Sequence, residues 1–413
     1  MLYLEWLVTA FVVFLPVLAL TVKGGANTCL YLLVLAGLIG IVFRYKPMGQ
    51  TFLQVLKKYW YVHLSMAGTT LAILAHQLGT ADINLKVYDI SSRLTYFALI
   101  AWALLLLPSK YLKHVQWGIV AGAFAVAIKV QLLTGSLPSA PTTLDFLNRI
   151  PYGDMSLLLA VFCFFSIGWT ERKDTWAIAL KIAAGCAALY ATYLCQSRGG
   201  WVALPLFGVI GLFLVGLRVR HKIALFALVL ALLGVVYSSS TSVQARIKDA
   251  ATDITLYRNG QNLDTSVGIR FQHWRGSWIL FKEHPVFGIG RENFYPKALT
   301  ELHSRNIISQ AATDFVHPHN ELLFYLATLG IFGFAAYWAL HLIPAYFFYR
   351  AARDPDLEIR TAGSMGLALV LGFFIFGLTE VIFFTPAANA FFSVNAAIFF
   401  ACVVKRKQAL ANQ

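Results

Sequence analysis

Charge is what this chain lacks. Only 13% of its 413 residues are Asp, Glu, Lys or Arg, and 59% are hydrophobic, whereas a soluble domain carries roughly 25% charged residues. That balance, with apolar runs of roughly 17 to 25 residues recurring along the chain, excludes a soluble globular fold and points to helices that cross a bilayer. Acidic residues are the scarcer sign, 19 against 33 Lys and Arg, for a net charge of +14. An excess of that kind can mark a nucleic-acid binder. Here the basic residues lie in short clusters between apolar runs, as the positive-inside rule requires, so no nucleic-acid partner is expected. Cysteine is also sparse. Cys29, Cys163, Cys186, Cys195 and Cys402 all fall inside or at the ends of apolar runs, which argues against a disulfide framework and against a cysteine metal site. No small-residue cleavage site follows the first apolar run, and Glu5 precedes it, so it reads as a retained helix. Internal repeats and low-complexity tails are absent too.

What is present is a series of twelve expected membrane helices, at about 4–22, 27–43, 59–78, 94–108, 115–134, 155–169, 176–195, 201–217, 223–238, 320–349, 361–384 and 387–404. The expected fold is an all-α polytopic membrane protein with one large, partly helical loop between helices nine and ten. It divides into 1–237 (helices one to nine), 238–319 (the loop) and 320–413 (the last three helices and a tail). Arg44, Lys46, Lys57, Lys58, Lys110, Lys113, Arg172, Lys173, Arg218, Arg220, Lys222, Arg350, Arg353, Arg360, Lys405, Arg406 and Lys407 all fall on one side if both termini are cytoplasmic. The short opposite loops hold only Lys23, Lys86, Arg93, Arg149 and Arg198. The outward side therefore collects the 135–154 loop (with Pro138, Pro141 and Pro151), Ser197-Arg198-Gly199-Gly200, the large loop and the turn near Thr385-Pro386.

The large loop is rich in aromatics, which disordered segments are not. Phe271, Trp274, Trp278 and Phe281 stand at i, i+3, i+7 and i+10, so a helix is expected over 268–283, capped by Thr265 or Ser266 and ended by His284-Pro285. With an aromatic face and a basic one, that helix would lie at the membrane surface or cover a cavity.

Several polar residues could carry chemistry. Arg198 sits at a helix boundary, where Arg is most often a snorkelling anchor. It lies on the side depleted of Arg, however, and Gly199-Gly200 permits a tight turn with free amides for an anion. Arg270 and Arg275 fall on the loop helix, where Arg is commonly solvated; Arg270 shares a face with Trp274. His317-Pro318-His319-Asn320-Glu321 opens helix ten. It admits a polar helix start capped by Asn320 or His319, metal ligation by His317 and His319 with Asp314 or His303, or a general-base histidine. No characteristic zinc motif is present. Gly330 and Gly333 share a face and read as a close helix-packing site. Glu380, at the outward end of helix eleven, is expected to pair with an outward Arg, orienting Arg198 or Arg270. Lys129 and Lys181 read as snorkelling residues, and His63 and His76 as packed ones.

In three places the sequence resembles the O-antigen ligase family and its wider ligase/polymerase superfamily. These are Ser197-Arg198-Gly199 at a helix boundary; Gly268-Ile269-Arg270 with Trp274 and His284-Pro285-Val286-Phe287-Gly288-Ile289-Gly290; and His319-Asn320, nine residues, then Gly330-Ile331-Phe332-Gly333. The resemblance covers about Lys181 to Tyr349. The family's Arg-x-x-x-Leu element is only approximate: Arg275 is followed by Ile279, and Arg198 by Val202. The resemblance implies a multi-pass bacterial inner-membrane enzyme whose periplasmic active site uses no cofactor, metal or nucleotide. The donor would be a glycan on undecaprenyl diphosphate and the acceptor a sugar of lipid A–core, among membrane lipids, with inversion at the anomeric centre. His319 would activate the acceptor hydroxyl, while Arg198 and Arg270 would bind the diphosphate. Arg275, His317, Asn320, Gly199 and Glu380 are further candidates for substrate contact. An O-antigen polymerase, a protein O-glycosylating relative and a lipid-linked sugar transporter are the alternatives.

Overall fold

The computed structural model describes residues 2–135, 143–214 and 241–412, with isolated positions between 220 and 238. The described residues are almost wholly helical, save one two-strand hairpin, Thr143–Leu144 with Leu147–Asn148. Among the described residues, seven helices are long and apolar enough to cross a membrane: Gly25–Val42, Ser109–Gly135, Arg149–Trp169, Thr175–Cys195, Glu321–Ala352, Leu357–Gly377 and Pro386–Ala411. Glu5–Thr21 and Gly199–Leu214 are shorter apolar helices. The protein is a multi-pass membrane protein. Of the twelve expected crossings, 94–108 is split into Tyr88–Thr95 and Phe97–Leu105, and 223–238 lies largely outside the described residues, as do Pro138, Pro141, Arg218 and Lys222.

Pro386–Ala411 is the central helix, with 89% of its apolar window buried. Up to Val404 it is mostly apolar on every face, as suits a helix enclosed by others, with Asn389, Ser393 and Asn395 as its buried polar residues. The expected helix over 361–384 instead stops at Gly377. Residues 378–385 form a turn, pinned because Phe383 plugs into the core, 5.2 Å from both the Phe373 and Phe392 rings. At the opposite end of the bundle, Asp356 caps Leu357–Gly377 and meets Arg406 at 2.8 Å, while Glu358 takes Lys113 and Arg406. Two of the basic residues expected to share a side, Lys113 and Arg406, thus do so around two carboxylates. Lys181 does not snorkel: it is fully buried, and its Nζ donates to Gln116, Ser166 and Thr170 at 2.5–2.7 Å. Three donors meeting three acceptors make a structural ammonium.

Helix Glu321–Ala352 is broken at Gly330, whose φ of +59° and ψ of −143° lie outside the helical region. Tyr325 and Tyr337 would be about 18 Å apart along an unbroken helix, yet their ring centroids are 5.6 Å apart. The break is filled by the chain from His284 to Gly290. Ile289 and Gly290 donate to the Ala327 and Thr328 carbonyls at 3.0 and 2.9 Å, and Ile331 donates to Pro285 at 2.9 Å. Backbone groups freed by the kink are thereby satisfied by the loop, as an apolar setting demands. The expected helix–helix packing role for Gly330 and Gly333 is corrected here. A Cβ at Gly330 would meet Pro285 O at 2.7 Å, so glycine is needed for the turn and for the approach of the loop.

Among its described residues the loop carries two long helices and a short one, Leu299–Ser304. Thr241–Arg258 was not expected from the sequence. Ser266–Glu283, the loop helix, has its cap from Thr265, which accepts from the Gly268 N–H at 3.1 Å. Its buried face is not the aromatic one: Gly268, Ile269, Gln272, His273, Gly276, Ser277 and Leu280 face inward, while Trp278 is 48% exposed. The inward face meets irregular backbone, which needs small and hydrogen-bonding side chains rather than bulk. Gly330→Ala should lower the unfolding midpoint in detergent by the equivalent of about 1–3 kcal/mol for a backbone conformation essentially reserved to glycine; an unchanged midpoint would contradict the stapled break.

Candidate active site

The site grows from a helix cap. Asn320 accepts from the Leu323 N–H at 3.0 Å and donates through Nδ2 to the Leu378 carbonyl at 3.2 Å. The cap thus ties the start of one helix to the turn after another, and both ends of the Asn320 amide serve that frame. His319 precedes the cap with φ of +50°, a left-handed conformation uncommon for a side-chain-bearing residue. Its Nδ1 lies 3.1 Å from Glu380 Oε2, and His317 Nε2 lies 3.0 Å from Oε1. The Val381 N–H donates to Oε1 at 3.1 Å. The two imidazole rings stand nearly perpendicular with centroids 4.8 Å apart.

Burial by itself would raise the Glu380 carboxyl, which is only 3% exposed. The hydrogen bond from His319, the adjoining histidines and the Val381 amide outweigh burial and hold it below its ordinary value. Burial pushes His317 down to about 4, with Glu380 offsetting part of that and His319 and His273 adding to it. His317 is therefore a neutral donor, and the His319 bond is the largest of the influences that lower Glu380. A carboxylate only accepts, so His319 Nδ1 bears the proton. In the neutral ring, Nε2 then carries the lone pair, and no hydrogen bond holds it among the described residues. This is the arrangement of a histidine base oriented by an acid. Glu380 was expected to pair with Arg198 or Arg270: among the described residues its side-chain partners are the two histidines and not Arg270, while the Arg198 side chain lies outside the described residues.

The loop helix docks onto the histidine segment. Trp274 Nε1 donates to the Pro318 carbonyl at 3.1 Å. His273 sets Nε2 2.7 Å from Ala312 O and Nδ1 3.2 Å from His317 O. Gln272 accepts from the Ser309 N–H at 2.6 Å and donates to Leu263 O at 2.7 Å. These buried amide and imidazole groups hold the irregular chain over 309–318. Arg270, at i−4 from Trp274 and i−3 from His273, is half-buried on this docked side and forms no ion pair among the described residues. Arg275 is exposed, and neither a hydrogen bond nor an ion pair ties it to the histidines.

The Ser197–Gly200 turn reaches the same place. Ser197 Oγ donates to Asp154 Oδ1 at 2.9 Å. A Cβ on Gly199 would collide with Thr379, the neighbour of Glu380, and one on Gly200 with Asp154. The glycine pair therefore serves close packing, with neither residue at positive φ, rather than a strained anion cradle. The Arg198 backbone opens the short helix Arg198–Trp201 beside Thr379; its side chain lies outside the described residues. Asp154 had been expected at the end of a loop. It lies within helix Arg149–Phe165, capped by Asn148, and is fully buried with Oδ2 unpartnered.

His317, His319 and Glu380 each offer one ligand atom, all within 4.8 Å of one another. The third member of any cation set would thus be Glu380 rather than Asp314 or His303. The two contacts near 3 Å pair His317 Nε2 and His319 Nδ1 with the two Glu380 oxygens.

Residues 182–338 match the family model of the O-antigen ligases. They form an O-antigen ligase family domain. The match takes in Arg198, the loop helix, His319 and the Gly330 break. The chain is also similar to an uncharacterized protein of Haemophilus influenzae, with 25% identity over 248 residues, 59% of this chain and 62% of the other. It thus spans less than two thirds of that relative's length.

Sequence reasoning missed Asp154, Gln272 and His273. The signal for Gln272 and His273 was polarity on the face opposite the aromatic stripe. Asp154 lay inside an apolar run and carried the same warning as Glu380. Acid stability checks the electrostatics. Unfolded His317 binds a proton that the native ring refuses, so stability falls as pH drops from 6.5 to about 4. Native His273, also held low chiefly by burial, adds to that fall. Glu380, held below its ordinary 4.5, adds a second loss below that pH. In unfolding midpoints measured across pH, His317→Gln should flatten part of the first fall; an unchanged slope would contradict a neutral, buried His317.

Proposed function

We propose that this protein is an O-antigen ligase, a glycosyltransferase that moves a glycan from undecaprenyl diphosphate to a sugar of lipid A–core oligosaccharide. The observation that carries the reading is the His319–Glu380 pair, with Nε2 open, inside an O-antigen ligase family domain. The site would face the periplasm of an inner-membrane protein with cytoplasmic termini, in keeping with the clustering of Lys113, Arg406 and Lys407 at the far end.

The acceptor hydroxyl gives its proton to His319 Nε2 as its oxygen bonds to the anomeric carbon of the donor. The bond from that carbon to the diphosphate oxygen breaks, and its electron pair leaves with undecaprenyl diphosphate. Attack opposite the leaving group inverts the centre. Glu380 keeps the His319 tautomer and stabilises the imidazolium that forms, which then returns its proton to solvent. Arg270, unpaired and half-buried, offsets charge growing on the diphosphate, with Arg198 as its expected companion. The loop helix, tied to the His317–Pro318 backbone, would hold donor and acceptor in register.

Purified protein in bilayers, given undecaprenyl-diphosphate-linked glycan and lipid A–core, should transfer glycan with chelator present and no ATP. His319→Ala should lower the rate about 10²- to 10⁴-fold, and Arg270→Ala about 10²- to 10³-fold. Glycan lengthening on undecaprenyl diphosphate instead would make the protein a polymerase. Chelator-sensitive transfer would turn His317, His319 and Glu380 into cation ligands, and transfer undiminished in His319→Ala would overturn the base.

A further inference from the structure

A second concavity lies away from the histidines, at the far end of the loop helix. It encloses about 270 Å³ between the end of helix Trp60–Thr80, the end of the loop helix and residues 288–301. Its polar lining includes His76, Asp82, Glu283, His284, Lys297 and Glu301. The built part is His76, which is only 3% exposed. Its Nδ1 meets the Phe287 carbonyl at 2.7 Å. A carbonyl only accepts, so the neutral ring carries its proton there and its lone pair on Nε2. That Nε2 is buried and has no partner. Gly290, at φ +87°, packs close to it, and a Cβ there would collide with Nε2 at 2.9 Å. An orphaned acceptor on a cavity wall calls for a donor from a ligand.

The charge balance narrows the ligand. Asp82, Glu283 and Glu301 are acidic, and Lys297 is the cation of the lining. Arg305, just outside, is tied to Glu283 at 2.5 Å and to Glu301 at 3.5 Å. Carboxylates outnumber cations, and carboxylate oxygens, an imidazole lone pair and the Asn293 amide oxygen accept from hydroxyls. An acidic ligand is disfavoured, and a polyhydroxylated neutral one is matched. The distance fits an extended ligand. Trp274 touches the histidine segment and Glu283 lines the cavity, nine residues and about 13 Å further along the same helix.

We propose that this cavity is a subsite for a neutral sugar of an oligosaccharide, remote from the reacting sugar and selecting against acidic glycans. The proposal rests on the glycan-transfer reading for its biological sense, but its binding claim stands apart from transfer. The test is saturation-transfer NMR and equilibrium titration of the full-length protein in nanodiscs with maltohexaose, a rhamnan hexamer and hexagalacturonate. At least one neutral hexamer should bind, with hexagalacturonate weakest. Asp82→Asn and Glu301→Gln, both at exposed positions, should each weaken the neutral hexamer about tenfold. His319→Ala, at the other end of the helix, serves as the comparison and should leave this binding within twofold of native. Overturning results are absence of binding by either neutral hexamer, tighter binding of hexagalacturonate, or neutral binding indifferent to both substitutions. Binding as expected with no transfer from a lipid-linked donor would sink the ligase reading and leave the subsite standing.

Discussion

A carboxylate shared by two imidazoles, buried at the mouth of a helical bundle, is the contact on which the candidate site depends. Removing an ion from water costs several kcal/mol, and Glu380 is nearly sealed. What offsets that cost is visible: two ring nitrogens and one backbone amide, all near 3 Å. These groups lie on two separately anchored elements. The carboxylate is on a turn pinned by Phe383, the histidines are on the chain leading into the Asn320 cap, and Asn320 joins the two through Leu378. An interaction so held orders its neighbours. With Glu380 fixed, the His319 tautomer follows, and the open nitrogen is the one left to meet a ligand.

The same logic of mutual satisfaction explains how a large loop stays over the bundle. The break at Gly330 frees backbone groups, and the 284–290 segment uses them. His273 and Gln272 then satisfy the irregular chain that carries His317. The loop is thus bound by hydrogen bonds to backbone at both ends of its helix, and its aromatic stripe is left outward, where a membrane surface suits it. The glycine-rich parts of the motifs read in the sequence (Gly199-Gly200, Gly288-Ile289-Gly290 and Gly330) are places where backbone meets backbone or a buried side chain.

Much of this was legible from residue order. Apolar runs marked the membrane helices, the loop helix began at its Thr265 cap, and Asn320 sat where a cap was expected. The candidate residues Arg270, His317, His319 and Glu380 are drawn to one end of the bundle. Pairing was not legible. Periodicity marks a stripe but not which side is covered, so the aromatic stripe of the loop helix was legible while its buried polar face was not. A lone carboxylate in an apolar run announces that it has a partner without naming it, so Glu380 was matched to Arg rather than histidine. The kink at Gly330 depends on a segment forty residues earlier, beyond any local pattern. Lys181 looked like a snorkelling residue because its three acceptors lie on other stretches of chain.

The central claim is that Glu380 acts through His319. A double-mutant cycle on glycan transfer tests it, using Glu380→Gln, His319→Ala and the two combined. If Glu380 works by setting the His319 tautomer and stabilising its charged form, the double variant should be no slower than His319→Ala alone. Rate losses that multiply in the double variant would mean that the two residues act independently, and would contradict the account.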